Sequence, residues 1–361
     1  MDDPKVRKIL ENTIRLDPSY HGWPSLIRLP DGDLLAACSG NRERHVCPFG
    51  RVFLYRSHDE GRTWTEPVRL SHGPLDDRDA GLCLAADGSV LMNYFTSTAY
   101  ITRTKPDDPP HWKPLRDQAT PELLAKEHGL WMRRSEDGGR TWSEKYPSPV
   151  NNPHGPALLK DGRLFFPGRL PKYPDDTGKP ETRSEFRLAA AVSEDHGRTW
   201  KVLSQIPAPA GHDPEKCYEL NGIQAPDGRI IVQIRDHNDP EQIRTWQTDS
   251  FDSGMTWTEP RRIGDGFPTH LLRFGKDRLL MTYSWRKKPC GVRARISDDS
   301  GDTWGEELIL TDRAVCWDVG YPMSAEMPDG SIFTLWYENE AVGGIAVLKY
   351  CRWIPPGKPA R

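Results

Sequence analysis

The chain has 361 residues, with 49 Lys and Arg against 52 Asp and Glu, and a formal net charge of −3 excludes an overall basic pull toward nucleic acid or an anionic membrane. Its 31 Gly, 33 Pro and 13 Trp beside 36% hydrophobic residues suit many short strands joined by tight turns. No stretch approaches the ~18 apolar residues of a membrane span, and the scattered, odd-numbered cysteines form no Cys-x-x-Cys pair, which favours reduced thiols over a disulfide framework or a zinc site.

The N-terminus, Met1-Asp-Asp-Pro-Lys5, lacks the apolar segment of a secretory signal. The expectation is a protein that stays inside the cell or one from which a signal has been removed. A first strand is expected near Val6–Leu16. Two motifs then alternate. Pro30-Asp31-Gly32 precedes the apolar run Leu34-Leu35-Ala36-Ala37, and Asp-Gly between two such runs is a strong hairpin signal. Ser57-His-Asp59-Glu-Gly61-Arg-Thr63-Trp64 follows, of the form Ser-x-Asp-x-Gly-x-Thr-Trp. Its Asp carboxylate can take backbone N–H groups further along the turn, Gly supplies positive φ, and Trp is an apolar foot.

The pair recurs. Asp87-Gly88 leads to the box Ser135–Trp142, but only after an extra segment at roughly 100–128. That segment is Pro-rich and predicts one short helix at Thr120-Pro121-Glu122, with Thr as N-cap and Pro at N1. Asp161-Gly162 leads to Ser193–Trp200 across a polar loop, Pro171–Glu185. Asp227-Gly228 leads to Ser250–Trp257. A weaker hairpin, Gly275-Lys276-Asp277, leads to Ser297–Trp304. Asp329-Gly330 ends the series, with Ile345–Tyr350 after it and no box. Long loops in compact folds often act as lids or binding loops.

Six hairpins and five boxes in alternation describe six four-stranded antiparallel blades. The expectation is an all-β, six-bladed β-propeller, a single domain over 1–361, whose last blade takes its outer strand from the N-terminus. Closure of this kind removes exposed sheet edges.

Antiparallel order puts hairpins and boxes at one end of the propeller and the starts of the inner strands at the other. Eight positions before each hairpin Asp stand Trp23, Asp79, Pro153 (beside His154), Glu219, Thr269 (beside His270) and Tyr321. Eight or nine positions after it stand Ser39, Phe95, Arg169, Arg235, Arg286 and Tyr337, with Arg42, Glu43, Arg44 and His45 just beyond Ser39. A rim with two carboxylates, a tyrosine, histidines and arginines from several blades fits an acidic sugar, because Arg forks hold carboxylates bidentately. No histidines have metal-ligand spacing, and no cofactor or metal is expected.

These repeats resemble the sialidase (neuraminidase) superfamily of six-bladed Asp-box propellers, over essentially the whole chain. The resemblance implies that Glu219, with Arg235 sixteen residues on, supplies the base and one arginine of a carboxylate-binding triad, that Tyr321 in Gly320-Tyr321 is the nucleophile, and that Arg286 is a second triad arginine. The chain departs from the family at three places. Gly22, in His21-Gly22-Trp23-Pro24, stands where the family has its first triad arginine. The loop Asn41–Phe49 has no Asp to act as general acid, and Tyr321 is followed by Pro322.

Three functions follow as expectations. One is a retaining exo-glycosidase, with Tyr321 activated by Glu219, the acid group held by Arg235 and Arg286 with Arg169 or Arg44, and Glu43, His45 or Asp79 as proton donor. His154 and His270 are further candidate substrate contacts. A second is a uronate lyase in which Tyr321 or a histidine removes the proton α to the carboxylate. The third is a non-catalytic carbohydrate- or protein-binding propeller.

Overall fold

Each Asp-Gly turn closes with the same local chemistry. The Asp31 carboxylate accepts from the Asp33 N–H, and Asp87, Asp161, Asp227 and Asp329 accept from residues two further on, all at 3.0–3.2 Å. In the first hairpin Gly32 has φ 101° and its N–H donates to Leu29 O at 3.0 Å. This is a three-residue loop with glycine in the left-handed position, which sets the register of the strands it joins.

The boxes are equally uniform. Ser57 Oγ donates to Asp59 and accepts from the Gly61 N–H, and Asp59 takes the N–H and the hydroxyl of Thr63; these bonds measure 2.6–2.9 Å. The same four recur at 2.5–2.9 Å in the other boxes. Each box tryptophan packs against an inter-blade core, Trp142 beside Leu35 and Leu82, Trp257 beside Phe165 and Ile230.

The computed structural model describes residues 6–14, 18–171, 187–239, 241–242 and 244–357. The expected loop Pro171–Glu185 lies outside these apart from Pro171. The described strands form six four-stranded antiparallel sheets. Five are consecutive in the chain. The sixth joins Val319–Glu326, Ile332–Asn339 and Ala346–Ile354 to the N-terminal strand Arg7–Ile14, paired from Arg7 with Ile354 to Ile14 with Leu348. The expected closure near Val6–Leu16 is therefore present.

Middle strands such as Ile230–Asp236 are buried along their whole length, because each sheet is covered on both faces by its neighbours. Outer strands such as Lys201–Gln205 are not. One side-chain bond crosses each of the six blade boundaries near the axis. Ser25 Oγ accepts from Leu82 N (2.9 Å), Asn93 Nδ2 donates to Asn152 O (2.6 Å) and Asn152 Nδ2 to Leu220 O (2.6 Å). Asn221 Oδ1 accepts from Leu271 N (2.9 Å), His270 Nδ1 from Ser324 N (3.2 Å), and the Tyr20 hydroxyl donates to Asp318 (2.9 Å) to close the circle. These bonds satisfy inner-strand polar groups that would otherwise be stranded beside the axis.

The blade-2 insertion contains the expected helix, Pro121–Glu127, capped by Thr120, whose hydroxyl accepts from Leu123 N at 3.3 Å. It also holds helices Ala99–Thr102 and Lys113–Asp117 and a 3₁₀ turn, Pro110–Trp112, which the sequence pattern did not separate from loop.

The box carboxylates tie stability to pH. Burial works against it, but the Thr199 hydroxyl and N–H hold Asp195 at about 2, below its ordinary 3.8; the Thr256 hydroxyl and N–H hold Asp252 at about 2. A depressed carboxylate stabilises the fold above its unfolded value and loses that contribution as pH falls through its folded value. Urea unfolding between about pH 4 and pH 2 is expected to show a steep loss of stability, and Asp195→Ala should cost about 1–2 kcal/mol at neutral pH with no effect on ligand binding. An Asp195→Ala protein as stable as the parent contradicts a structural role for the box.

Candidate active site

The site is built by a backbone irregularity used four times. Trp23, Asp79, Glu219 and Tyr321 have φ of 53°, 55°, 50° and 53°. At each, the pairing of the inner strand with its neighbour slips, between Gly22 and Ser25, Arg78 and Gly81, Tyr218 and Asn221, and Gly320 and Met323. A side chain in the left-handed region costs about 1–2 kcal/mol, and such strain collects where a site needs it. These are the residues eight positions before the hairpin Asp in blades 1, 2, 4 and 6. Blades 3 and 5 lack the bulge. Thr269 pairs regularly with Tyr283, and Pro153 precedes an inner strand of only two residues, Ala157–Leu158.

Blades 4 and 6 bring three expected residues into one cluster. The Tyr321 hydroxyl donates to Glu219 Oε1 at 2.6 Å. Arg235 Nη1 donates to Glu219 Oε2 and lies 3.4 Å from the same hydroxyl. Burial pushes the Glu219 carboxyl up, but Arg235, the Tyr321 hydroxyl and Arg286 outweigh it and hold it below the ordinary range. Burial, then the Glu219 charge, raise the Tyr321 phenol well above 10. The resting state is thus a neutral phenol donating to a carboxylate. Arg286 reaches the cluster from blade 5, its Nε donating to Val319 O at 3.1 Å.

Arg235 is held by groups the sequence pattern did not single out. Its Nε donates to His237 Nε2 at 2.6 Å, so that nitrogen is unprotonated. Burial, then the Arg235 charge, bring His237 down to about 4, which keeps the ring neutral. His237 stacks on Tyr218 with centroids 4.8 Å apart, and Phe267 lies under the Arg235 guanidinium at 4.2 Å.

On the blade-1 side, Trp23 is the centre of an aromatic wall. Tyr337 lies 5.8 Å from it and 6.1 Å from Tyr321, centroid to centroid. His45 meets Trp23 edge-on at 4.9 Å. His45 Nδ1 is 3.1 Å from Asp318 Oδ1, and the Tyr20 and Tyr337 hydroxyls also donate to Asp318, at 2.9 and 2.8 Å. Arg42, forked onto Asp76 at 2.5 and 3.1 Å, also donates to His45 O at 3.1 Å and so fixes this loop. The His45 side chain is 38% exposed, with Trp317 beside it at the rim. Burial lowers the His45 pKa below 6.5, with Arg78 and Arg42 adding to it and Asp318 opposing.

Asp79 lies near enough to the Tyr321 cluster for its charge to act on Glu219 and Tyr321. It is buried, its Oδ1 has no hydrogen bond among the described residues, and burial raises it to about 7, with Arg78 opposing and Glu219 adding. A Cβ on Gly22 would meet Tyr20 Cε1 at 3.0 Å and Tyr337 Cδ2 at 3.7 Å, so two tyrosine rings stand beside this glycine.

The remaining candidates are placed elsewhere or in other roles. The insertion takes Glu43, which accepts from His111 Nε2 and Trp112 Nε1, both at 2.8 Å. It also takes Arg44, which donates to Asp108 at 2.6 Å and lies over Trp112 at 4.5 Å. Arg169 pairs with Glu215 at 3.1 Å and lies over Tyr218 at 5.4 Å. His154 is buried 6.1 Å from Tyr321, ring to ring, and burial brings it down to about 4. His270, brought down to about 3 by burial, is a boundary strut lining an axial cavity of about 420 Å³. That cavity lies among Leu82, Asn221 and Met323 and not at the Tyr321 cluster. Among the described residues no group of three His, Cys, Asp or Glu side chains is arranged to hold a metal ion.

Removing one partner of a buried ion pair strands the other. Glu219→Ala is expected to destabilise the protein by about 3–5 kcal/mol in urea titrations, and Glu219→Gln, which keeps an acceptor for Arg235, by clearly less. Equal losses contradict the pairing described.

Comparison with known proteins agrees with this architecture. The family of BNR repeat-like domains matches residues 118–334. A sialidase of Micromonospora viridifaciens is 28% identical over 229 residues, covering 61% of this chain and 33% of that protein. A sialidase of Bacteroides fragilis is 23% identical over 349 residues, covering 88% of this chain and 59% of that protein. The chain thus spans about a third to three fifths of the length of these relatives. Among solved structures, a Dyadobacter fermentans protein of unknown function superposes with a TM-score of 0.75 at 23% identity, covering 98% of this chain and 100% of that one. The NanB sialidase of Streptococcus pneumoniae does so with a TM-score of 0.68 at 13% identity, covering 98% and 71%. These likenesses concern the fold. With its five boxes, six blades and BNR match, the chain belongs to the BNR repeat-like family and is a divergent member of the sialidase superfamily.

Proposed function

We propose that the protein is a retaining exo-glycosidase that releases a terminal acidic sugar, with Tyr321 as nucleophile and Glu219 as its base. The observation that carries this reading is the 2.6 Å bond from the Tyr321 hydroxyl to a carboxylate buried against Arg235. A phenol is a suitable nucleophile here because, unlike a carboxylate, it does not repel an acid group on the sugar. In the resting site Arg235 and Arg286 make Glu219 a weak base. A bound substrate carboxylate drawing on those guanidinium groups returns basicity to Glu219, so the phenol loses its proton only when substrate is present. The phenolate then attacks the anomeric carbon, the glycosidic bond breaks, and water later releases the sugar.

The leaving oxygen of an exo-enzyme faces solvent, and His45 is the candidate proton donor at the rim. Asp318 takes its Nδ1–H and leaves Nε2 for the substrate. Asp79, buried, suits contact with the sugar itself, and Glu43 is engaged by the insertion. A donor lowered below 6.5 is protonated only in acid. Hydrolysis of unactivated glycosides should fall as pH rises toward neutrality. His45→Ala should lose roughly 10²–10⁴-fold on such glycosides and much less on an aryl glycoside, whose leaving group needs no proton. Equal losses on both exclude His45 as donor.

A uronate lyase is the second reading, favoured by His154, whose Nε2 has no hydrogen bond among the described residues and which is neutral beside Tyr321. A released-sugar screen of sialosides, uronosides and neutral aryl glycosides separates the readings. Free acidic sugar from the parent protein and none from Tyr321→Phe supports the hydrolase. An unsaturated, UV-absorbing product establishes the lyase, and no product with any substrate leaves a carbohydrate-binding propeller.

A further inference from the structure

Arg78 is an arginine without an assigned task. It is 8% exposed, and its Nε has no hydrogen bond among the described residues. The nearest carboxylate oxygen, Asp79 Oδ1, is 3.9 Å away and is itself without a hydrogen bond. Arg42 shares the unbonded Nε, but that buried guanidinium places its Nη donors on Asp76, Ser39 Oγ and His45 O. Desolvating an ionised group without partners is expensive. A fold that keeps Arg78 in this state has a ligand to offer it, or gains nothing from the charge.

The position of Arg78 says what that ligand is. In the blade-2 inner strand the pairing slips between Arg78 and Gly81, and the two consecutive residues Arg78 and Asp79 serve different neighbours. Asp79 interacts with Glu219, while Arg78 lies across the blade boundary with its guanidinium over the face of Trp23, 4.1 Å from the ring centroid. Stacking holds the plane of the fork and leaves its edge for hydrogen bonds. Trp23 adjoins Gly22, which brings no side chain, and the Trp23–Tyr337–Tyr321 wall links this spot to the Tyr321 cluster. In the Tyr321 cluster itself, Arg235 has Nη1 on Glu219 and Nε on His237, and Arg286 has Nε on Val319 O. Their charge is already shared with Glu219. The Asp79 carboxyl, raised to about 7, is neutral in acid and does not cancel Arg78 there.

We propose that Arg78 is the third guanidinium of the site and binds the carboxylate of the acidic sugar from blade 2, where blade 1 has Gly22 and its Arg42, also near Trp23, is already paired with Asp76. This rests on the acidic-sugar reading above and deepens it. Arg78 is a substrate-binding residue in this account; it takes no part in proton transfer.

Calorimetric titration with free sialic acid and with its methyl ester tests it on the parent protein, Arg78→Ala and Arg78→Lys, each checked for folding by thermal melting. The ester keeps every hydroxyl and removes only the charge. The parent is expected to prefer the acid, and Arg78→Ala to reduce that preference by roughly ten- to a hundredfold, the usual loss of a charge-assisted hydrogen bond. Arg78→Lys, which keeps the charge without the fork, should fall between and covers the case in which the alanine variant does not fold. A preference unchanged in the variants overturns the proposal. So does an equal loss of acid and ester binding, which would assign Arg78 to another part of the sugar, or a parent protein that does not distinguish the two. Binding is read without turnover, so a protein that hydrolyses nothing yet shows the expected pattern fails the hydrolase reading and keeps this one.

Discussion

A left-handed residue in the innermost strand is the constraint on which the site depends. A regular inner strand alternates its side chains between two neighbouring blades, both packed. The slip at Trp23, Asp79, Glu219 and Tyr321 turns four side chains out of that alternation. Each costs about 1–2 kcal/mol of backbone strain, and the rest of the propeller bears it. Six boundary bonds, uniform boxes and middle strands buried on both faces hold the ring rigid. Gly81 shows how tight that holding is, since a Cβ there would meet Gly155 N at 2.4 Å.

The fold was legible because it is repeated. Five boxes and six hairpins are separate readings of one blade, so the degenerate Gly275-Lys276-Asp277 copy could be recognised from its place in the series. The closing strand followed from the blade that lacks a box. Of the site, Glu219, Arg235 and Tyr321 were found by a fixed offset from the hairpin Asp, and the offset works because the slip recurs at one height in the blades. It fails where the slip is missing, so Thr269 and Pro153 have no comparable position.

The rest was hidden for physical reasons. Glu43 and Arg44 follow the right strand, but their partners His111, Trp112 and Asp108 come from an insertion whose docking has no periodic signature. Asp318 has three donors from three parts of the chain, Tyr20, His45 and Tyr337, and only the closed ring brings them together. His237 and Arg78 adjoin residues that were found. The sequence pattern carries no sign that the Arg78 guanidinium lies over Trp23, a contact made across the blade boundary.

The site as a whole stores a proton where it can be used. Tyr321 keeps its proton while Arg235 and Arg286 hold Glu219 down, and in the function proposed here a substrate acid group that engages those arginines changes the balance. The most direct test of this account is covalent trapping. Incubation with 2,3-difluorosialic acid followed by intact-protein and peptide mass spectrometry is expected to show one sugar attached to Tyr321, and none on Tyr321→Phe. An adduct on another residue, or no adduct on a parent protein shown to bind sialic acid, would contradict it.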